Sequence, residues 1–252
     1  MQVKQDLVSI ITPAYNAEFY IADTIRSVQG QTYPNWEMLI VEDGSPDETW
    51  RVVAELSTTD PRIKLVRQQN AGPAMARQKA LDLAAGRFIA FLDSDDIWPP
   101  GKLERQLEFM ASQNSPLSFT AFRRMTADGQ TIGRKIEVPR RMGYLRLLGN
   151  TAIATSTVVI DRNRVGAFAM TKTYYDDFVL WLEILKRGHV ADGLNEDLMR
   201  YRVLGESVSR NKWNSMKMVW RTYRDIEGLN PILASVAFLG YAWHAWWKYR
   251  KF

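Results

Sequence analysis

Asp93, Asp95 and Asp96 put three carboxylates into four residues, directly after the apolar run Phe88–Leu92. Mutual repulsion and desolvation make such a cluster unfavourable unless a cation neutralises it. Carboxylates without histidine or cysteine suit a hard ion, Mg2+ or Mn2+. Such an ion is typically shared between one or two protein carboxylates and the phosphates of a substrate. A solvated loop leading into a helix cap is the other reading of this cluster. A second acidic pair, Asp176-Asp177, precedes an apolar helical stretch. Aspartate is favoured as a helix N-cap, and a helix N-terminus also keeps a carboxylate charged. The sequence contains neither a Walker phosphate loop nor a G-x-G-x-x-G fingerprint. Any phosphates are then held through the metal and isolated basic groups.

These acids need a scaffold, and the first half of the chain predicts one. Residues 7–12 are an apolar, β-branched run closed by Pro13, as in a buried strand. Ile21, Ile25 and Val28 follow at helical spacing, ended by Gly30. Residues 37–41 form a second strand. Ser45-Pro46-Asp47-Glu48 then has the pattern of a capping box, opening a helix to about Leu56. Residues 63–67 form a third strand. Gly72-Pro73 opens a helix that Gly86 stops after Ala85, and residues 88–92 form a fourth strand, apolar enough to be covered on both faces. This alternation calls for an α/β fold with a mostly parallel central sheet flanked by helices. Ligands bind such sheets beyond the carboxyl ends of the strands. Asn16, Glu42-Asp43-Gly44, Asn70 and the acidic cluster all fall at those ends.

Downstream the pattern is mixed: a helix over 102–113, a hairpin over 117–137 turning at Asp128-Gly129, a strand over 157–160, a helix over 178–187 capped by Gly188, and a strand over 198–203. The expected organisation is a catalytic domain, 1–209, with a donor half (1–115) and an acceptor half (116–209), and a helical tail, 210–252.

Composition supports an ordinary globular domain: 252 residues, 46% apolar and 24% charged. There is no cysteine, which excludes disulfides and thiolate metal sites. Met1–Asp6 is polar, so no signal peptide is expected there. The net charge of +5 is unevenly spread: residues 210–252 hold eight Lys/Arg against two acids, and five of the nine tryptophans. Basic residues with aromatics favour an anionic membrane surface over nucleic acid as the partner. Trp213, Met216, Trp220 and Tyr223 form a helical stripe flanked by Lys217, Arg221 and Arg224, which suits an interfacial helix; packing on the catalytic domain is the alternative. Residues 228–247 carry no charge, yet Asn230, Pro231, Ser235 and His244 dilute their hydrophobicity, so shallow insertion is expected rather than a span.

Four segments, in order and in register, resemble glycosyltransferase family 2. They are Val8-Ser9-Ile10-Ile11-Thr12-Pro13-Ala14-Tyr15-Asn16, Val41-Glu42-Asp43-Gly44-Ser45, Asn70-Ala71-Gly72 through Ala76-Arg77, and Gly86 through Asp96. The resemblance implies a GT-A fold and an inverting, metal-dependent transfer from a nucleotide-sugar donor, most often UDP-linked. It implies that Thr12, Pro13 and Tyr15 line the base pocket and that Asp43 accepts a hydrogen bond from the base. Arg77 is then near the base or diphosphate, Asp93 on the ribose and metal side, Asp95 a metal ligand, and Asp96 facing the donor sugar or a metal-bound water. Tyr175-Asp176-Asp177-Phe178 resembles the family's downstream acidic pair, here Asp-Asp rather than Glu-Asp, which makes Asp177 the general base. Glu42 for aspartate and Gln78 for asparagine are further departures, bearing on donor choice. Family members of this size point to a polyprenyl-diphosphate-linked saccharide acceptor in surface polysaccharide (O-antigen, capsule or teichuronic-type) synthesis at the cytoplasmic face of the inner membrane. A nucleotide-sugar pyrophosphorylase would need a Gly-rich N-terminal loop, and residues 8–20 contain no glycine. An aspartyl phosphatase would need D-x-D after the first strand. A non-catalytic, membrane-associated polysaccharide-binding protein is the alternative of a different class.

Overall fold

The alternating N-terminal half forms four parallel strands. A computed structural model describes residues 6–204 and 212–249. Strands β1 (Val8–Ala14), β2 (Trp36–Glu42), β3 (Ile63–Arg67) and β4 (Phe88–Phe91) pair in the order β3-β2-β1-β4, all parallel. Helices α1 (Ile21–Gln29), α2 (Thr49–Ser57) and α3 (Pro73–Leu83) connect them. The first strand does not stop at Pro13. Even-numbered residues of β1 bond to β2, as in Asp43 N donating to Ala14 O at 2.9 Å, and odd-numbered ones to β4, as in Leu92 N donating to Ile11 O at 3.0 Å. The missing amide of Pro13 therefore faces the side where the β4 ladder has already ended at Ile11 and Phe91, so no sheet bond is lost.

Beyond β4 the sheet is mixed, which corrects the expectation of a mostly parallel one. Helix α4 (Lys102–Gln113) leads to β5 (Leu117–Thr126) and β6 (Ile132–Ile136), the expected hairpin, with Gly129 at φ 72° in its turn. After β7 (Arg141–Met142) and α5 (Tyr144–Leu148) comes a single 3-10 turn, Thr155–Thr157, and then β8 (Val159–Asp161). That turn lies at the carboxyl end of β4, where the Ser156 hydroxyl accepts from Asp93 N at 3.1 Å. A strand that starts there can only run back along β4, so β8 pairs antiparallel to both β4 and β5. Helices α6 (Arg162–Val165) and α7 (Asp176–Lys186) precede β9 (Ala191–Val203), which returns parallel to β5. One sheet thus continues through both halves of the chain. Because side chains alternate across a strand, its two faces carry separate cores. Ile11, Leu39, Phe91 and Trp181 lie on one face, and Ile10, Met38, Ala90 and Trp98 on the other.

Two local expectations are corrected. Ser45 does not cap α2: the helix starts at Thr49, and Ser45, Asp47 and Thr49 instead hold the β1–α1 turn. Their side chains accept from Asn16 N, Glu18 N and Ala17 N at 3.1, 3.1 and 2.8 Å. Gly86 does not end α3, which stops at Leu83. It is required by close approach to β1, where a Cβ at position 86 would meet Ser9 N at 2.6 Å and Leu7 O at 2.7 Å. Gly86→Ala is expected to destabilise the protein by about 1–3 kcal/mol, the usual cost of overpacking, read by urea unfolding. A variant with an unchanged midpoint and slope would refute this packing role.

The tail folds back onto the domain. Helix α8 (Lys212–Arg221) runs into a π-turn (Thr222–Ile226), and α9 (Pro231–Tyr249) follows. The inward stripe is Met216, Val219 and Tyr223 rather than the expected one, because Val219 and Tyr223 are fully buried in the core. Tyr223 sets its ring edge-on to Phe178 at 6.4 Å, and its hydroxyl donates to Leu148 O. Met216 and Tyr223 therefore face the core beneath the sheet, not lipid. Trp220 stays partly exposed with its ring against Phe238. On α9, Ala234 and Tyr241 are buried and Gly240 closes onto Gly149, where a Cβ would come within 3.3 Å of the Gly149 Cα. Ile232, Leu233, Val236, Leu239 and Trp243 point outward and are exposed. Among the described residues, no helix is long and apolar enough to cross a membrane. Met1–Gln5, residues 205–211, Arg250 and Lys251, and the side chains of Trp213, Trp246, Trp247 and Lys248 lie outside the described set.

Candidate active site

The carboxyl ends of β1, β2 and β4 open onto one crevice. At the end of β1, Thr12 and Pro13 are buried, while Tyr15 is 51% exposed, a flat ring at the mouth. Among the described residues, the buried Thr12 hydroxyl has no hydrogen-bond partner. At the end of β2, Asp43 turns into the loop after β3. One of its oxygens accepts from Gln68 Nε2 at 2.7 Å and Ala71 N at 2.9 Å, the other from Gly72 N at 2.8 Å. A carboxylate has about four acceptor positions, so at most one is left for a base N–H. Gly44 permits this turn. Its φ is 69°, and a Cβ there would meet Asn70 N at 2.9 Å.

After β4, the backbone of the acidic turn is fastened from three sides. The Thr24 hydroxyl on α1 donates to Ser94 O and Asp96 O, both at 2.9 Å. Arg202 Nε, from the end of β9, donates to Asp95 O at 2.9 Å. Ser156 accepts from Asp93 N and donates to the Asp96 carboxylate. Asp96 is 1% exposed and also accepts from Arg202 N at 3.1 Å. This corrects the expectation that Asp96 faces the donor: its carboxylate points inward and ties the turn to β9. Burial, then Asp95 and Asp93, hold its pKa well above the ordinary carboxylate range.

Asp93 and Asp95 are the acids that remain on the crevice side. Asp93 accepts from Arg77 at 2.5 Å. The Asp95 carboxylate accepts from its own backbone N–H, and burial followed by the neighbouring Asp93 pushes its pKa up to about 6. No closed cage of three or more acids or histidines exists among the described residues. What they offer is a pair of carboxylates carrying more negative charge than the site neutralises. That donor set fits a hard divalent ion completed by phosphate oxygens.

Helix α7 brings the second acidic pair to the same crevice. Tyr175 occupies its N-cap position, and Asp176 and Asp177 are its first two helical residues. Neither aspartate occupies the N-cap position, but the Asp177 carboxylate accepts from Phe178 N at 2.7 Å, an amide of the first turn. Asp176 accepts from Thr173 N at 2.5 Å, and burial raises its pKa. Asp177 accepts from the Thr155 hydroxyl. Arg77, only 9% exposed, stands between the two groups of acids. Burial works against its charge, and Asp93, then Asp177, then Asp176 outweigh that, so its pKa is raised. Consecutive residues of one 3-10 turn, Thr155 and Ser156, thus hold Asp177 and the acidic turn. Neither residue is visible in the sequence as part of the site, and nor is Arg202, which acts across more than a hundred residues.

A crevice with two carboxylates for a cation, an aromatic platform and an acidic pair on a facing helix is suited to group transfer from a phosphate-linked donor. The sequence profile described as Glycosyl transferase family 2 matches residues 9–175. Over 241 residues the chain is 44% identical to the Bacillus subtilis protein assigned to teichuronic acid biosynthesis as the glycosyltransferase TuaG, covering 95% of this chain and 96% of that one. It is 41% identical to the Escherichia coli UDP-Glc:alpha-D-GlcNAc-diphosphoundecaprenol beta-1,3-glucosyltransferase WfgD, covering 93% and 92%. Among solved structures, Staphylococcus aureus TarS 1–349 in complex with UDP-GlcNAc aligns with a TM-score of 0.69 at 17% identity, covering 93% of this chain and 71% of that one. The Pyrobaculum calidifontis mannosyltransferase PcManGT, in complex with GDP-Man and Mn2+, aligns at 0.70 and 18% identity, covering 94% and 69%. At these identities the two structures speak to the fold alone, a GT-A-like mixed sheet flanked by helices.

Proposed function

The chain belongs to glycosyltransferase family 2, and from that premise we propose that it moves a sugar from a UDP-sugar to a lipid-linked saccharide in bacterial surface polysaccharide synthesis, inverting the anomeric centre to give a β-linkage. One observation carries this reading: the Asp93–Asp95 pair and Asp177 face one crevice and are held in register by Arg77 and by Thr155–Ser156. The Escherichia coli relatives, named for UDP-glucose, a diphosphoundecaprenol-linked N-acetylglucosamine and a β-1,3 product, support the donor and acceptor classes.

Tyr15 offers its exposed ring as a platform for the base, and Asp43, which braces the loop after β3, keeps an acceptor position for a base N–H. Asp93 and Asp95 would hold Mn2+ or Mg2+, which supplies Lewis-acid stabilisation of the departing diphosphate. Asp177 accepts the proton of an acceptor hydroxyl. That oxygen bonds to the anomeric carbon from the face opposite the leaving group while the carbon–oxygen bond to the phosphate breaks. Nucleoside diphosphate leaves with the bonding electrons, and the proton stays on Asp177. The Thr155 hydroxyl donates to the carboxylate and orients it.

The exposed apolar face of α9 and the basic residues of the tail support an association with the cytoplasmic face of the inner membrane, where a polyprenyl-linked acceptor would be met. Calorimetric titration of UDP, GDP and dTDP, each with Mn2+ and with EDTA, tests the donor side. UDP is expected to bind only with the metal. A folded protein that binds none of the three would overturn the transferase reading.

A further inference from the structure

The acceptor class proposed above creates an electrostatic problem. A diphosphate-linked saccharide brings several negative charges towards a crevice already carrying Asp93, Asp95, Asp176 and Asp177. Close like charges are unfavourable in a partly desolvated site, so positive groups are required one sugar ring away from the reacting hydroxyl. Most cations near the acids are already engaged. Arg77 is paired with Asp93, Lys172 donates to Ala71 O at 3.1 Å, and Lys186 pairs with Glu227 at 2.9 Å.

Two cations on the tail are not engaged in this way. The segment leading to Asp176 and Asp177 lies between the donor loop, which Lys172 touches, and α8, where the Arg221 guanidinium sits over the Tyr174 ring at 5.3 Å. Lys217 is one helical turn before Arg221, so both project from the same edge. Both are exposed, and among the described residues neither is ion-paired with a carboxylate. Arg224, further along, donates to Leu229 O and helps to close the turn before α9. Trp220 and Phe238 join this edge of α8 to α9, whose outward face is apolar. The order across the surface is then acid pair, cation pair, apolar face. A lipid-linked acceptor has the same order: sugar hydroxyl, diphosphate, hydrocarbon.

Resting on the acceptor class proposed above, we propose that Lys217 and Arg221 bind the diphosphate of the lipid-linked acceptor and so place its sugar against Asp177. The full chain is titrated calorimetrically with geranyl diphosphate, the nucleotide site being saturated with UDP and Mn2+, and with geraniol as the uncharged control. Lys217→Ala/Arg221→Ala is expected to raise the geranyl diphosphate Kd at least about tenfold, equivalent to roughly 1.4 kcal/mol, with UDP affinity and the unfolding midpoint unchanged. Arg221→Lys should retain most of the binding. In turnover with UDP-glucose, the double variant should raise KM for N-acetylglucosaminyl diphosphate on a short alkyl chain, leave kcat near wild type, and leave KM unchanged for the same sugar on an uncharged alkyl chain. Equal losses with both acceptors, or an unchanged Kd, would overturn the proposal. Weaker sedimentation with anionic vesicles, with the geranyl diphosphate Kd unaltered, would overturn it in favour of bilayer headgroups. A wild-type protein that binds no UDP defeats the functional reading itself. A wild type that transfers sugar beside an indistinguishable variant defeats only this inference.

Discussion

Asp177→Asn is expected to lower kcat by about 10²–10⁴-fold, the usual share of general-base assistance, while UDP affinity in Mn2+ stays at the wild-type value. Asparagine keeps the shape and one acceptor oxygen for Thr155 or Phe178 N, so the start of α7 is kept while the proton acceptor is lost. Removing a charge from the neighbourhood of Arg77 also leaves that guanidinium paired with Asp93, which separates this variant from one that disturbs the donor side. Single-turnover rates with donor and acceptor at saturation, together with a UDP titration, decide it. Full turnover would reassign the base. A large rise in UDP Kd would mean that Asp177 supports donor binding instead.

Asp95→Ala is expected to remove the metal dependence of donor binding, so that UDP affinity in Mn2+ falls to the level seen in EDTA. Substitutions that merely orient metal ligands reduce metal affinity or activity about 10–100-fold, so deleting a ligand should reach the top of that range or exceed it in kcat/KM. The hydrogen bond to the Asp95 carboxylate is from its own backbone N–H, and the turn's backbone remains fastened by Thr24, Ser156 and Arg202. The variant should therefore unfold at or above the wild-type urea concentration. Asp96→Ala should behave in the opposite way, losing stability because it abandons Ser156 and Arg202 N. Equal metal-dependent UDP binding by Asp95→Ala and the wild type would refute the assignment.

Much of the scaffold was legible because its signals are local. The strand at 63–67 and the helix at 102–113 match the structure residue for residue, each written in hydrophobic periodicity and flanking turn residues. Pro13 misled because whether a proline ends a strand depends on which neighbour its missing amide faces, and the register sets that. Ser45 misled because its hydroxyl serves a different turn, 29 residues away in sequence. Gly86 resembled a helix stop, yet the constraint on it is the backbone of β1. Within the site, the acids were legible from type and spacing. The groups that aim them, Thr24, Thr155, Ser156 and Arg202, were not. A hydroxyl or a guanidinium carries no periodic signature, and its partner is chosen by the fold. The orientation of Asp96 followed from the same hidden contacts.

The 3-10 turn that grips both acidic groups also bears on how such an enzyme can diversify. Thr155 and Ser156 act as a caliper between the Asp93–Asp96 turn and Asp177. A change that shifts one jaw shifts the other, so the reaction geometry drifts only through concerted substitutions. The β5–β6 hairpin and the exposed edge of α8 hang outside that caliper. Under the proposed function, sequence variation there would alter acceptor contacts while the spacing between the acidic turn and Asp177 stays fixed. Within one lineage, a change of glycan product would then be inherited as a surface trait, with the chemistry beneath it left untouched.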